Sequence, residues 1–180
     1  MNTRFTVLLT IGISMAILQP AYGVDNPSIS KIYDVDTVTL SSSEKVRLLQ
    51  IDTPELSPNE CYGQEARQAL VKLLSTSEKL VLKSDPSLDK IDRYGRLLRY
   101  VFKGKTNINL KMVEIGAAAP YFYRGERGLY SKSLLKAAQE AQRKSLGLWK
   151  KCPGTSLSPD SALTTNFEKL TSAQSSSGVC

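Results

Sequence analysis

The chain has 180 residues, of which 41% are hydrophobic, and it carries a formal net charge of +7. This length suits one globular domain with a sizeable core and excludes two large domains. The sequence contains no histidine, which excludes Ser-His and Cys-His nucleophile pairs, histidine general bases and most ordinary zinc sites. Catalysis would have to use carboxylates, arginine, lysine, tyrosine or a metal, and the positive charge favours polyanionic partners such as nucleic acid.

Residues 1–23 have the pattern of an export signal. Arg4 lies in a short polar start, an apolar stretch runs from Phe5 to Leu18, and small residues precede the end at Gly23. We predict cleavage after Gly23 and an exported protein, periplasmic or secreted, with no stable membrane association after cleavage. An uncleaved membrane anchor is the alternative, and the shortness of the apolar stretch argues against it.

Residues 24–152 form one predicted domain with strands first and helices mostly later. Period-2 patterns and turn residues predict five strands, at Ile29–Tyr33, Thr37–Leu40, Lys45–Ile51, Leu80–Lys83 and Leu97–Phe102. Apolar residues at helical spacing predict three helices, at Tyr62–Leu74, Asn109–Ile115 and Ser131–Leu146. Five antiparallel strands with these helices favour an α+β, mainly β fold, namely a five-stranded OB-fold barrel with three helices.

The cysteines and the C-terminal composition define the end of the domain. Export implies an oxidising compartment, in which a Cys61–Cys152 disulfide would tie the start of the first helix to the end of the ordered region. A Cys152–Cys180 bridge, which would only staple the tail, stays open. Residues 153–180 are rich in serine and threonine and poor in large apolar residues, so we predict a disordered tail.

The stretch from Arg47 to Glu55 is the most informative part of the chain. Strand alternation predicts two opposite faces, with Arg47, Leu49 and Ile51 on one and Leu48, Gln50 and Asp52 on the other. Pro54 would end the strand and leave Thr53 and Glu55 at its mouth.

Four acids could meet beside this strand. Asp34, Asp36, Asp52 and Glu55 come from two segments that neighbouring strands could bring together, and such carboxylates repel unless a cation neutralises them. An all-oxygen shell, completed by the Thr53 carbonyl and water, favours Ca²⁺ over transition metals and Mg²⁺. The alternative is a set of solvent-exposed acids at strand ends.

Two arginines complete the chemistry. Arg47 and Arg96 each carry a planar fork that can hydrogen-bond two oxygens of a phosphodiester as negative charge develops on them. Glu55 could orient or deprotonate the attacking water. The alternative for both arginines is a structural network of ion pairs with neighbouring acids.

Three tyrosines could bind nucleotides. Tyr94, Tyr121 and Tyr123 can stack on a base or hydrogen-bond a phosphate, and Arg93 adds positive potential. For the Tyr-x-Tyr pair, core packing is the alternative.

Four motifs occur in a fixed order, Asp-x-Asp-Thr from Asp34, Arg-Leu-Leu-x-Ile-Asp-Thr-Pro-Glu from Arg47, Asp-x-Tyr-Gly-Arg from Asp92 and Tyr-x-Tyr from Tyr121. In these motifs the chain resembles the staphylococcal nuclease (thermonuclease) family, from about Ile32 to Trp149. The resemblance implies an OB-type barrel with three helices. It also implies Ca²⁺-dependent hydrolysis of DNA and RNA that leaves 3′-phosphate and 5′-hydroxyl ends.

The resemblance also implies a role for each matching residue. Asp36, Asp52 and the Thr53 carbonyl would bind Ca²⁺ directly, with Asp34 supporting the site through water. Glu55 would act on the attacking water, while Arg47 and Arg96 would hold the scissile phosphate. A nucleotide pocket would be lined by Arg93, Tyr94, Tyr121 and Tyr123.

The chain departs from the family pattern at Val35, where a glycine is usual. A β-branched residue does not readily adopt a positive φ, so metal affinity would suffer if the position required one. We expect extended backbone there, which valine tolerates well.

Two other functions stay open at this point. The chain could be a non-catalytic OB-fold nucleic-acid-binding module, or an exported interaction protein that pairs with a partner through Cys180. The complete set of acids and arginines favours the nuclease, acting as a monomer on DNA and RNA, because a pure binder gains nothing from carboxylates beside a polyanion.

Overall fold

The computed structural model describes residues 27–57 and 60–165. Within these ranges the strands are β1 (Ile29–Ile32), β2 (Thr37–Leu40), β3 (Lys45–Leu48), β4 (Ile51–Asp52), β5 (Leu80–Lys83), β6 (Leu97–Lys103), β7 (Thr106–Asn107) and β8 (Ala119–Pro120). The α-helices are α1 (Gly63–Leu74), α2 (Ile108–Glu114), α3 (Ser131–Arg143) and α4 (Leu148–Lys151). The predicted export signal lies outside the described residues. No helix in the described ranges is both long enough and apolar enough to cross a membrane.

The strands form one large sheet and one small ribbon. The large sheet has the order β1-β2-β3-β6-β5, with β7 paired to β6, and β4 pairs with β8. The α+β class is confirmed, as are the three predicted helices, and α4 is an additional single turn. The mixed sheet is consistent with an OB fold, and its closure into a barrel stays a prediction.

The pairing of β3 with β6 differs from the predicted all-antiparallel arrangement. These two strands run parallel, with Val46 opposite Leu97 and Leu48 opposite Arg99. Between them the chain passes through α1 and then β5, which is antiparallel to β6. An intervening helix and strand return β6 to the direction of β3, so a local strand pattern could not reveal this pair.

The predicted strand Lys45–Ile51 is wrong as a single strand. The structure ends β3 at Leu48 and begins β4 at Ile51, with Gln50 between them at a positive φ of 58°. The side chain of Asn109 donates to the Leu49 carbonyl at 2.9 Å and so satisfies a buried backbone group of this turn. Because the turn interrupts the alternation of faces, the residues after it return towards β3.

The core lies between the sheet and the first three helices. Its fully buried residues include Val38, Val46 and Leu48 from the sheet, Ala66 and Leu70 from α1, Met112 from α2, and Leu134 and Ala138 from α3. Apolar residues at helical spacing on α1 and α3 face this cluster, as the sequence pattern predicts.

A disulfide joins Cys61 to Cys152, with their Cα atoms 5.7 Å apart. This is the pairing that the sequence analysis favoured over Cys152–Cys180, and Cys180 lies outside the described residues. The bridge connects the loop before α1 to the end of α4. It therefore fixes that loop from a position 91 residues away in the sequence.

Residues 153–165 differ from the predicted disordered tail, because the structure places them along the domain. The Phe122 N–H donates to the Pro159 carbonyl at 2.7 Å, and Thr165 is buried. These contacts use backbone groups and a small hydroxyl side chain, so composition gives no sign of them. Residues 166–180 lie outside the described residues.

Candidate active site

Arg47 is the centre of the site. Its Nη2 lies 2.8 Å from Asp36 Oδ2 and 2.9 Å from Asp52 Oδ1, while Nη1 donates to the carbonyls of Leu48 and Ile51 at 2.7 Å each. The prediction that Arg47 and Asp52 occupy opposite faces is therefore wrong. The turn at Gln50 carries Asp52 back towards β3, and the guanidinium is held there by four acceptors.

The four predicted acids lie close to one another, and two of them, Asp36 and Asp52, contact this guanidinium. Asp36 is the last residue of the loop between β1 and β2, and its Oδ1 accepts from the Thr37 hydroxyl at 3.0 Å. Glu55 shares a hydrogen bond with Asp34 and interacts electrostatically with Asp36 and Asp52. The solvent-exposed arrangement offered as the alternative does not hold for Asp36, whose residue is only 8% exposed, whereas Glu55 is exposed.

Burial, together with the crowding of these acids, raises two pKa values. Burial, followed by the negative charges of Asp34 and Asp36, raises the pKa of Glu55 to about 7. Burial also raises the pKa of Asp52 to about 6, with Asp36 adding to the effect and the Arg47 guanidinium opposing it. The site thus holds more negative charge than its own cations offset, which favours uptake of a proton or a cation near neutral pH.

The donor chemistry of the cluster fits a hard divalent cation. The carboxylates of Asp36 and Asp52 converge on one nitrogen of Arg47, and with the carbonyl of Thr53 they would give a set of oxygen donors only. No group of three or more acidic or cysteine side chains in the described ranges has the arrangement of a ready-made metal site. A cation here would accordingly rely on two carboxylates, a backbone carbonyl and water.

Arg96 reaches the same cluster from the turn before β6. Asp92 fixes it, since Oδ1 accepts from the Arg96 N–H at 3.0 Å and Oδ2 accepts from Arg96 Nε at 2.6 Å. Arg96 Nη1 lies 3.4 Å from the Thr37 hydroxyl, which itself donates to Asp36. Although burial opposes it, hydrogen bonds from the backbone and side chain of Arg96 lower the pKa of Asp92, so this carboxylate stays charged.

Two positioning residues were therefore missed as site residues, namely Asp92 and Thr37. Both belong to motifs that the sequence analysis singled out. For Asp92 a signal was available, because an aspartate three residues before a glycine is typical of a tight turn. For Thr37 only the tertiary contact with Arg96 reveals a role.

The predicted nucleotide-binding residues form an exposed aromatic surface beside Arg96. Tyr94 is 68% exposed and Tyr123 is 52% exposed, so core packing does not account for either. The guanidinium carbons of Arg93 and Arg96 lie 4.8 and 5.4 Å from the Tyr94 ring centroid, and Arg93 also interacts with Tyr123. Tyr121 is half-buried, and its N–H donates to the Gln50 carbonyl at 3.0 Å.

Val35, the departure from the family pattern, belongs to the core. Its side chain is fully buried, and it is not among the described non-glycine residues with positive φ. The position thus tolerates valine, and the side chain packs beneath the acidic loop.

The loop that carries Glu55 packs tightly against the start of α1. A Cβ atom at Gly63 would lie 2.1 Å from the Glu55 carbonyl oxygen, a distance at which the backbone would have to move. Tyr62, immediately before the helix, has a φ of 72°. The position of Glu55 therefore depends on the close approach of its backbone to the backbone of Gly63.

Gly63→Ala tests the role that the resemblance implies for Glu55 and is expected to slow DNA cleavage by about 10²-fold, because displacing a reacting group by about 1 Å costs that much. Steady-state cleavage of single-stranded DNA measures the effect, and Gln64→Ala at the next, exposed helix position is the matched control. Wild-type kinetics in Gly63→Ala would show that the loop relaxes without moving Glu55.

The family model described as "Staphylococcal nuclease homologue" matches residues 45–151, more than half of the chain. The chain belongs to the staphylococcal nuclease family. The matched range contains Arg47, Asp52, Glu55 and Arg96, whereas Asp34 and Asp36 lie just before it.

Three relatives agree with this assignment. An "Uncharacterized endonuclease" of Haemophilus influenzae is 36% identical over 125 residues, which cover 67% of this chain and 64% of that protein. The thermonuclease of Staphylococcus intermedius is 32% identical over 68% of this chain and 75% of its own length. The micrococcal nuclease of Shigella flexneri is 33% identical over 72% and 76%, respectively. The predicted enzyme class, a nuclease hydrolase, is confirmed at the level of the family.

Proposed function

We propose that this family member is an exported Ca²⁺-dependent nuclease that hydrolyses phosphodiester bonds of DNA and RNA with little sequence specificity and yields 3′-phosphate ends. One observation carries the proposal: Arg47 contacts Asp36 directly, Arg96 reaches the same acid through Thr37, and Glu55 lies within electrostatic reach. Two forked cations and a proton acceptor thus surround one position, as phosphodiester hydrolysis requires.

Each residue has a defined task in this reaction. Arg96 and, once its Nη2 is released from Asp36 and Asp52, Arg47 bind the equatorial oxygens of the scissile phosphate, on which negative charge develops. Glu55 accepts the proton of the attacking water, and the bond from phosphorus to the 5′ oxygen breaks as that oxygen takes a proton from solvent. When bound by Asp36, Asp52 and the Thr53 carbonyl, Ca²⁺ would supply positive charge beside the phosphate. Little sequence preference is expected because Tyr94 and Tyr123 offer stacking faces that any base can use.

Export and a monomeric state are part of the proposal. The signal pattern of residues 1–23 supports export, and the Cys61–Cys152 disulfide is typical of an oxidising compartment. The Ca²⁺ assignment is supported by the all-oxygen donor set and by the raised pKa values of Asp52 and Glu55.

Purified protein is expected to cut single-stranded DNA with Ca²⁺ and to stop when a chelator is added. Glu55→Gln should lower the rate by about 10²–10⁴-fold. Glu65→Gln, at an exposed acid, is the control and should leave the rate unchanged. Salt-dependent DNA binding without any cleavage would instead identify the non-catalytic binding module.

Export is tested by expressing the protein with its own leader. A mature N-terminus at Val24 is expected by mass spectrometry.

A further inference from the structure

Residues 159–165, here called the strap, run along the domain beyond the disulfide. Their anchoring contacts are Phe122 N–H to the Pro159 carbonyl at 2.7 Å, Arg127 to Asp160 at 2.6 and 3.0 Å, and Thr165 N–H to Glu60 at 3.0 Å. The Thr165 hydroxyl also donates to the Cys61 carbonyl at 2.9 Å. Cys152 is bonded to Cys61, and Thr165 contacts the Cys61 backbone, so both ends of residues 152–165 meet at Cys61. This closure lowers the entropic cost of ordering the strap.

Between its anchors the strap reaches the acid cluster. The Leu163 N–H donates to Asp52 Oδ2 at 2.9 Å, while Asp52 Oδ1 accepts from Arg47 Nη2 at 2.9 Å. Both oxygens of the Asp52 carboxylate are therefore oriented by hydrogen bonds. One comes from Arg47, five residues away in the sequence, and the other from Leu163, 111 residues away. Each carboxylate oxygen can accept more than one contact, so the amide leaves room for a cation.

We propose that the strap is a positioning element for the metal ligand Asp52, and that the Leu163 N–H holds the carboxylate in the orientation that Ca²⁺ binding requires. The inference rests on the proposed function, which places the cation at Asp52. Groups that orient a metal ligand from outside commonly contribute about 10–100-fold to metal affinity. An amide donor also stabilises the charged carboxylate without competing as a cation would.

A proline at position 163 tests the amide directly, since proline lacks the N–H. In the full-length protein, Leu163→Pro is expected to weaken Ca²⁺ binding, raising the dissociation constant by about 10–100-fold. Calorimetric titration without nucleic acid measures it. Leu163→Ala keeps the amide, and Ala162→Pro removes a neighbouring N–H that makes no hydrogen bond in the described part of the chain. Both controls should bind Ca²⁺ close to the wild-type affinity.

The outcomes separate this inference from the proposed function. A wild-type protein that binds no Ca²⁺ would overturn the proposed function itself. If the wild type binds and Leu163→Pro matches Leu163→Ala, only the positioning role is overturned, and a lower Tm of the metal-free variant would then mark the strap as purely structural. Tighter binding by Leu163→Pro would make the strap inhibitory, which also contradicts the proposal.

A second variant covers failure of Leu163→Pro to fold. Arg127→Gln combined with Thr165→Val removes one side-chain anchor on either side of Leu163 without touching the acid cluster, while the two backbone anchors remain. Weaker Ca²⁺ binding is expected in this double variant, and wild-type affinity in it would overturn the inference.

Discussion

Replacing Arg96 by lysine is expected to lower kcat for phosphodiester hydrolysis by about 10³-fold. Asp92 holds the Nε of Arg96 at 2.6 Å, and Nη1 points to Thr37 at 3.4 Å. Nη2 makes no hydrogen bond to the described residues and is left for a phosphate oxygen. Lysine keeps the charge but has no planar fork, so it cannot satisfy Asp92 and a phosphate in this geometry at once.

Arg99, which lies three residues further along in β6, provides the control. Arg99 donates to the carbonyls of Lys90 and Leu98 at 2.8 and 2.7 Å, away from the acid cluster. Steady-state kinetics at saturating Ca²⁺, with kcat and KM separated, should show near wild-type catalysis in Arg99→Lys. Wild-type kcat in Arg96→Lys would mean that Arg96 is only the structural ion-pair partner of Asp92.

Asp85→Ala is expected to lower the free energy of unfolding by about 3 kcal/mol, because the buried Tyr100 hydroxyl and two partly buried N–H groups lose this acceptor. A buried donor left without an acceptor costs roughly 1–3 kcal/mol. The residue is 1% exposed, and its carboxylate accepts from Leu129 N–H at 2.6 Å, from Ser87 N–H at 2.9 Å and from the Tyr100 hydroxyl at 3.1 Å. Such a loss is a large part of the roughly 5–15 kcal/mol that stabilises a typical domain.

Urea unfolding at several pH values measures this effect, with Asp89→Ala in the same loop as an exposed control. Although burial opposes it, hydrogen bonds from Leu129 and Ser87 lower the pKa of Asp85 below its ordinary value of 3.8. A depressed folded-state pKa gives stability that is present above the unfolded-state pKa and is lost as the pH falls through the folded-state pKa. The difference between wild type and Asp85→Ala should therefore shrink below pH 3.8. A small, pH-independent difference would contradict the structural role of Asp85.

This network also reaches the active site. The Tyr100 hydroxyl lies 3.0 Å from Gln50 Oε1, and Gln50 Nε2 donates to the Glu126 carbonyl at 3.0 Å. Gln50 is the residue whose positive φ turns the chain between β3 and β4. Buried polar contacts far from the phosphate position thus hold the turn that brings Asp52 to Arg47.

Much of the fold and of the site was predictable from local patterns. Apolar periodicity placed all three long helices within a few residues of their observed bounds, because burial of one helix face leaves a pattern in the sequence. Residue chemistry alone excluded histidine-based catalysis and pointed to the acids and arginines. The order of the motifs identified the family, which the match over residues 45–151 confirms.

The sequence by itself therefore determined the three main helices, most of the strand positions, the family and the chemical inventory of the site. Only the tertiary structure decided how that inventory is assembled: the Gln50 turn that pairs Arg47 with Asp52, the parallel β3–β6 pair, and the Leu163 amide on Asp52. The physical reason is that these features depend on hydrogen bonds of backbone groups with residues far away in the chain. Every residue except proline carries the same backbone N–H and carbonyl, so contacts of this kind leave no periodicity or composition that a sequence could show.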